Sequence, residues 1–219
     1  MLEVLKTYGT DLQVTASEAH FSDKQARTLE QMQGRTGAVV IEESGLDGTI
    51  LNAIVAVANR TGHKLPTGFP ARRVWLHVTV TDASGQVVFE SGAPGPGGAI
   101  DGNDNDVDPA AFEPHYDTIR AAGEVQIYES IIRDSDDGVT TILLKGAGYL
   151  KDNRLLPLGF DKADADPDIG VYGNALDDPD FLGAADRVRY VVDVGDASGP
   201  FTVTARLLYQ SVAYRWADN

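Results

Sequence analysis

Alternation of hydrophobic and polar residues dominates most of the chain. Val74, Leu76 and Val78 share one face of a run over residues 73–80, which is the two-residue period of a strand. Comparable apolar runs cover residues 38–42, 49–57, 86–90, 124–128, 140–144, 188–194 and 201–209. Turn-forming residues separate several of these runs, as in the SGLDG segment at 44–48. The pattern predicts a mainly β protein, an antiparallel β-sandwich of about eight strands.

The opening of the chain follows a helical period instead. Apolar side chains recur there at every third or fourth position from Leu2 onward. Ser22 and Gln25 have the spacing of a capping box, in which a hydroxyl begins a helix and a longer side chain reaches back. We therefore predict a short helical segment over residues 1–35 and a β-sandwich domain over residues 36–219.

Two long acidic stretches rich in Gly, Pro and Asp, residues 92–118 and 151–186, are predicted to be loops. The first contains closely spaced carboxylates and an amide at Asp101, Asn103, Asp104, Asp106 and Asp108. Calcium takes six to eight oxygen ligands, and this spacing can supply several of them. The EF-hand pattern is not met, because Pro109 stands where that loop needs glycine. A calcium site and a pair of solvated acidic loops both fit the pattern.

Composition removes several classes of function. The formal net charge of −15 opposes binding to nucleic acid, because such a chain repels phosphate. The chain has no cysteine, which excludes disulfides, thiolate metal sites and covalent haem attachment through CxxCH. No apolar run has the length of a transmembrane segment. The GxSxG, HExxH, P-loop and GxGxxG motifs are also missing, so the sequence predicts a protein that is not an enzyme.

Residues 59–73 form the most unusual segment. Two glycines and two prolines fix an irregular backbone there, which presents the His63 imidazole near Arg72 and Arg73. A neutral imidazole is a good ligand for haem iron or a transition metal. Alternatively, His63 bonds to backbone groups within a turn and the two arginines form ion pairs. His115, within the EPHYD stretch, is predicted to be structural.

Residues 61–78, TGHKLPTGFPARRVWLHV, resemble a signature in the C-terminal region of bacterial multihaem c-type cytochromes. The resemblance continues at VVFESG (87–92), FEPHY (112–116), YLKDNRLLP (149–157) and YRW (214–216). In those cytochromes a haem-bearing region with CxxCH sites precedes a cysteine-poor β domain. The resemblance thus covers most of this chain but not the part that would attach haem.

This resemblance implies a non-catalytic accessory or interaction domain in electron transfer, located in the periplasm or outside the cell. Its partner would be a haem-bearing cytochrome region or a redox protein. The cofactor would be haem c held by that upstream region or partner, with His63 donating an axial ligand. The chain would be either a piece of a longer cytochrome or a free-standing relative; the helical spacing of Leu2, Leu5 and Tyr8 favours the piece.

Two other functions are compatible with the residues. One is a free-standing calcium-binding β-sandwich that acts as a binding or adhesion module through the acidic stretch at 101–108. The other is an enzyme with a site around His63 and His115, which would require those two side chains to meet in one pocket.

Overall fold

The computed structural model describes residues 2–217 of the chain. The chain divides into two compact units, Met1–Gly37 and Ala38–Asn219. Within residues 2–217, no helix combines the length and the hydrophobicity that crossing a membrane requires.

The first unit consists of α1 (Leu2–Thr7) and α2 (Glu18–Gln31), followed by one π-helical turn (Met32–Thr36). Gln25 on α2 donates a 2.7 Å hydrogen bond to the Glu3 carboxylate on α1, which joins the two helices. The predicted helical character of this segment is therefore confirmed.

The start of α2 differs from the prediction. Ser17 is the N-cap: its hydroxyl accepts from the backbone N–H of His20, and the His20 ring accepts from the backbone N–H of Ser17. Ser22 and Gln25 lie inside the helix, so the predicted capping box was wrong. An imidazole at the third helical position performs the task that Glu or Gln usually has there.

The second unit is built from strands. Within residues 37–217, the strands are β1 (Gly37–Asp47), β2 (Ile50–Asn59), β3 (Arg73–Thr81), β4 (Val87–Ser91), β5 (Thr118–Ile119), β6 (Ile127–Tyr128), β7 (Ser130–Arg133), β8 (Gly148–Asp152), β9 (Ala185–Asp193) and β10 (Thr202–Gln210). The short helices are α3 (Asp104–Val107), α4 (Tyr214–Ala217) and 3₁₀ turns at Pro96–Gly98, Leu143–Lys145, Pro167–Ile169 and Asn174–Leu176.

These strands form two main sheets. The first has the order β1-β2-β9-β5, and the second has the order β10-β3-β4, with β6 also paired to β3. Strands β7 and β8 form a separate two-stranded sheet. Among the strand pairs whose residue register is described, only β5 with β9 is parallel, and the others are antiparallel. The predicted β-sandwich is thus confirmed, with one short parallel edge.

The core lies between the two main sheets. Val55 on β2, Leu76 and Val78 on β3, and Val188 on β9 are completely buried in one hydrophobic cluster. Burying a side chain of this size contributes about 1.5–3 kcal/mol, so these strand faces supply much of the driving force for folding.

Two predicted strands differ in the structure. Residues 140–144 do not form a strand but enter the 3₁₀ turn at Leu143–Lys145, and Leu144 is fully exposed. The run at 124–128 is reduced to the two residues of β6, although Val125 and Gln126 are buried. The two stretches predicted as loops connect β4 to β5 and β8 to β9 and contain only short helices.

Candidate functional site

The loop between β2 and β3 carries His63 and is fixed at its base by Asn59. The Asn59 amide donates to the backbone oxygens of His63 (2.8 Å) and Leu155 (2.9 Å). Its oxygen accepts from the backbone N–H and the hydroxyl of Thr61. Leu65 pairs with Leu155 through two backbone hydrogen bonds of 2.9 Å. The loop is therefore held to the core on both sides of the imidazole.

His63 itself is exposed, and its ring has a defined tautomer. Its Nδ1 lies 2.9 Å from the backbone oxygen of Lys64. A carbonyl oxygen can only accept, so Nδ1 carries the proton and the lone pair is on Nε2. Within residues 2–217, Nε2 makes no hydrogen bond. Histidines that ligate metals commonly donate their second ring N–H to a carbonyl in this way.

Two cations lie beside this loop and share one carboxylate. Lys64 Nζ contacts Asp152 Oδ2 at 3.0 Å and donates to the oxygen of Gly170 at 2.7 Å. Arg154 holds both oxygens of the same Asp152, at 2.8 and 2.6 Å. Burial lowers the pKa of Lys64, and the charge of Asp152 opposes that shift. The three groups together carry one net positive charge next to His63.

The arginines that follow His63 have separate contacts. Arg72 bonds to Thr67 within the loop. Arg73 is buried at the start of β3 and pairs with both oxygens of Asp106 at 2.8 Å. The ion pairing expected for Arg73 is therefore present.

The five residues predicted to hold calcium do not converge on one point. Asp106 is committed to Arg73 and also accepts from the backbone N–H of Ile100. Asn103 caps α3 by accepting from Asn105, and Asp108 accepts from the backbone of Ala110. The remaining two acids are exposed, at Asp101 and Asp104. Among the described residues, the acid and histidine clusters suited to a metal lie elsewhere. Calcium at this loop stays a prediction.

A buried polar centre surrounds His115. Its Nε2 lies 3.0 Å from Asp178 Oδ2 and 3.8 Å from Asp186 Oδ1. Its Nδ1 lies 2.8 Å from the amide nitrogen of Gln126 and 3.1 Å from that of Asn153. All five side chains are buried. Asp186 lies on β9, His115 lies in the β4–β5 loop, Gln126 directly precedes β6, and Asn153 and Asp178 lie in the β8–β9 loop.

The orientations of the two amides determine the tautomer of His115. The Gln126 oxygen accepts from the backbone N–H of Tyr116, and the Asn153 oxygen accepts from that of Glu129. Both amides therefore present N–H₂ to Nδ1, which must accept. The ring proton of neutral His115 is then on Nε2, where it is donated to Asp178. This contact agrees with the structural role predicted for His115.

Asp186 lies deepest in this centre and is incompletely satisfied. Its Oδ2 accepts from the Tyr128 hydroxyl at 2.6 Å and from Gln126 at 3.2 Å. Its Oδ1 is buried without a hydrogen bond. Burial raises the pKa of Asp186. A polar residue within the apolar runs, such as Gln126 or Asp186, is the sequence feature that could have indicated this centre.

Comparison with known proteins gives one informative likeness. No family model matches the chain, and no curated protein sequence matches it. A crystal structure of a penta-heme cytochrome c552 from Thermochromatium tepidum superposes with a TM-score of 0.51 at 17% identity. The chain has a fold related to a multihaem cytochrome. The match covers 84% of this chain and 34% of that cytochrome, so the chain spans about a third of its length.

Proposed function

We propose that this chain is a non-catalytic accessory domain in electron transfer and that His63 donates an axial ligand to a haem iron. The haem c belongs to an upstream cytochrome region or a redox partner, because this chain has no cysteine to attach it. The setting is the periplasm or the outside of the cell. The shared fold with a penta-heme cytochrome supports this context.

The geometry of His63 is the observation that carries the proposal. Its Nδ1–H is fixed on the Lys64 carbonyl and its Nε2 is unpaired among the described residues. The Asn59 contacts hold the loop before any ligand binds, which reduces the ordering cost of ligation. The ring is thus oriented, and its neutral form presents the Nε2 lone pair that iron requires.

Local charge supports the same partner. The chain has a formal net charge of −15, but Lys64 and Arg154, whose side chains are 10% and 12% exposed, leave one net positive charge beside His63. Haem carries two propionates, which are anionic at neutral pH. A cationic edge beside the ligand favours approach of that group and repels other positively charged surfaces.

The test compares two histidines in the gene product isolated from its native cells. His63→Gln removes the proposed ligand, and His20→Gln removes the other exposed imidazole as a matched control. We expect His63→Gln to convert one low-spin haem to a high-spin or water-ligated form in the visible and EPR spectra. His20→Gln should leave both spectra unchanged.

The proposal has two separable ways to fail. An unchanged haem spectrum in His63→Gln would refute the ligand role. A colourless product that does not purify with any haem protein would refute the electron-transfer role as well. Intact mass of the same preparation distinguishes a longer haem-bearing chain from a separate partner.

A further inference from the structure

A second group of carboxylates lies on the solvent side of the His115 centre. Asp117, Asp178 and Asp180 each offer an oxygen, and these three atoms lie within 4.8 Å of one another. Oxygens bound to one calcium ion at 2.3–2.6 Å can be at most about 5 Å apart, so the three can share an ion. Asp117 is exposed, Asp180 is half-buried and Asp178 is buried, which gives an ion a path from solvent.

Unpaired oxygens behind and within the group indicate missing positive charge. Asp186 is fully buried, and its Oδ1 has no hydrogen-bond partner and lies 3.8 Å from His115 Nε2. One of the Asp186 carboxylate oxygens also lies within 4.8 Å of a ligand atom of Asp178. The Oδ1 of Asp180 is also buried without a hydrogen bond. Burying an unpaired carboxylate oxygen is unfavourable, so folded proteins rarely leave two together.

Two of the nearby cations are committed elsewhere. Lys162 donates to the backbone oxygens of Ala175 and Asp178 rather than to a carboxylate. Arg187 on β9 donates two hydrogen bonds to the Glu42 carboxylate, from Nε at 2.8 Å and from Nη2 at 3.1 Å. His115 donates a single N–H to Asp178.

The donor set selects the class of ion. His115 offers no lone pair to this site, because Nδ1 accepts from two amides and Nε2 donates to Asp178. The remaining donors are all oxygens, which hard cations prefer over zinc or copper. Calcium tolerates irregular oxygen shells from loops better than magnesium, which requires a near-ideal octahedron.

We propose that Asp117, Asp178 and Asp180 bind a calcium ion. His115 positions Asp178 through the hydrogen bond to Oδ2, the backbone N–H groups of Asp180 and Phe181 hold Oδ1, and Asp186 adds negative charge from behind. The ion would fasten the long β8–β9 loop to the start of β5. This site is independent of the haem role of His63 and differs from the acidic stretch at 101–108.

The test uses the chain after treatment with EDTA and removal of the chelator. Calorimetric titration should show one calcium ion bound per chain, and calcium should raise the melting temperature. Asp180→Asn should weaken calcium binding by about tenfold or more, because charge count sets affinity in such sites. Asp164→Asn, an exposed acid of the same loop, should leave binding unchanged.

A second variant shows whether a loss of calcium binding comes from the lost ligand or from misfolding. Asp117→Asn changes an exposed ligand and should also weaken binding while the far-UV spectrum is retained. Absence of binding at millimolar calcium would overturn the proposal. Binding that survives both variants but is lost in Asp101→Asn or Asp108→Asn would also overturn it, since the ion would then lie in the other loop.

Discussion

The buried ion pair between Arg73 and Asp106 allows the sharpest stability prediction. The side chains are 1% and 2% exposed, and two parallel hydrogen bonds of 2.8 Å join them. Arg73 also donates to the oxygens of Gly98 and Gln210, at 2.9 and 2.7 Å. One guanidinium thus ties β3 to α3, to β10 and to the loop after β4.

Asp106→Ala removes the carboxylate that pairs with Arg73 and leaves the guanidinium charge buried. Arg73 loses two of its four hydrogen bonds, and the backbone N–H of Ile100 loses its acceptor. Removing one partner of a buried ion pair typically costs about 3–5 kcal/mol. For a unit of this size, about 2–4 °C is lost per kcal/mol, so the melting temperature should fall by roughly 6–20 °C.

Urea unfolding followed by tryptophan fluorescence measures this loss, because Trp75 is buried on the same strand as Arg73. Asp108→Ala is the matched control: it is exposed on the same loop and should cost less than about 1 kcal/mol. The double replacement Arg73→Met with Asp106→Leu should recover much of the stability, since an apolar pair leaves no buried charge. A loss below about 1 kcal/mol in Asp106→Ala would refute the reasoning.

Two further predictions concern a glycine and an acid. Gly92→Ala should destabilise the protein by more than about 2 kcal/mol in urea, because φ is +74° and a Cβ would lie 2.4 Å from the backbone oxygen of Leu76. Gly85→Ala has a similar φ of +83° but open space, so equal losses in the two variants would contradict the clash. In EDTA, stability should fall as the pH rises through about 6, because the folded-state pKa of Asp180 is raised from 3.8. The lowered pKa of Asp178, about 2, contributes constant stability above pH 3.8. Because burial also raises the pKa of Asp186, part of the pH 5–7 slope can persist in Asp180→Asn, but an unchanged slope would contradict the assignment.

The fold could be predicted from the sequence where one face of a strand is buried in the core. The alternation at 73–80 and the runs at 49–57 and 188–194 correspond to β3, β2 and β9, whose inward residues form the core. The run at 140–144 has equal hydrophobicity but no sheet to cover it, and Leu144 is fully exposed. Local sequence does not say which apolar runs find a neighbour.

The sites were less accessible to sequence reasoning. His63 could be singled out because its loop is unusual within a single short segment. Asp117, Asp178 and Asp180 meet only through the pairing of β5 with β9 and the return of the β8–β9 loop. The spacing at 101–108 looked more favourable for calcium, yet Asp106 is used to neutralise an arginine 33 residues away. Spacing along the chain cannot reveal such a competing partner.

The pairing of β2 with β9 has a consequence for how the protein folds. Ile50 lies opposite Asp193, and in the other sheet Thr81 lies opposite Thr202. Neither main sheet can be completed until the last strands have been synthesised. Closing such long loops costs chain entropy before the strand contacts form and offset that cost. Folding should therefore be slow, in the millisecond-to-second range typical of non-local β topologies. During translation, the backbone edges of β2 and β3 that β9 and β10 will occupy remain unpaired until those strands emerge from the ribosome, and unpaired strand edges favour aggregation.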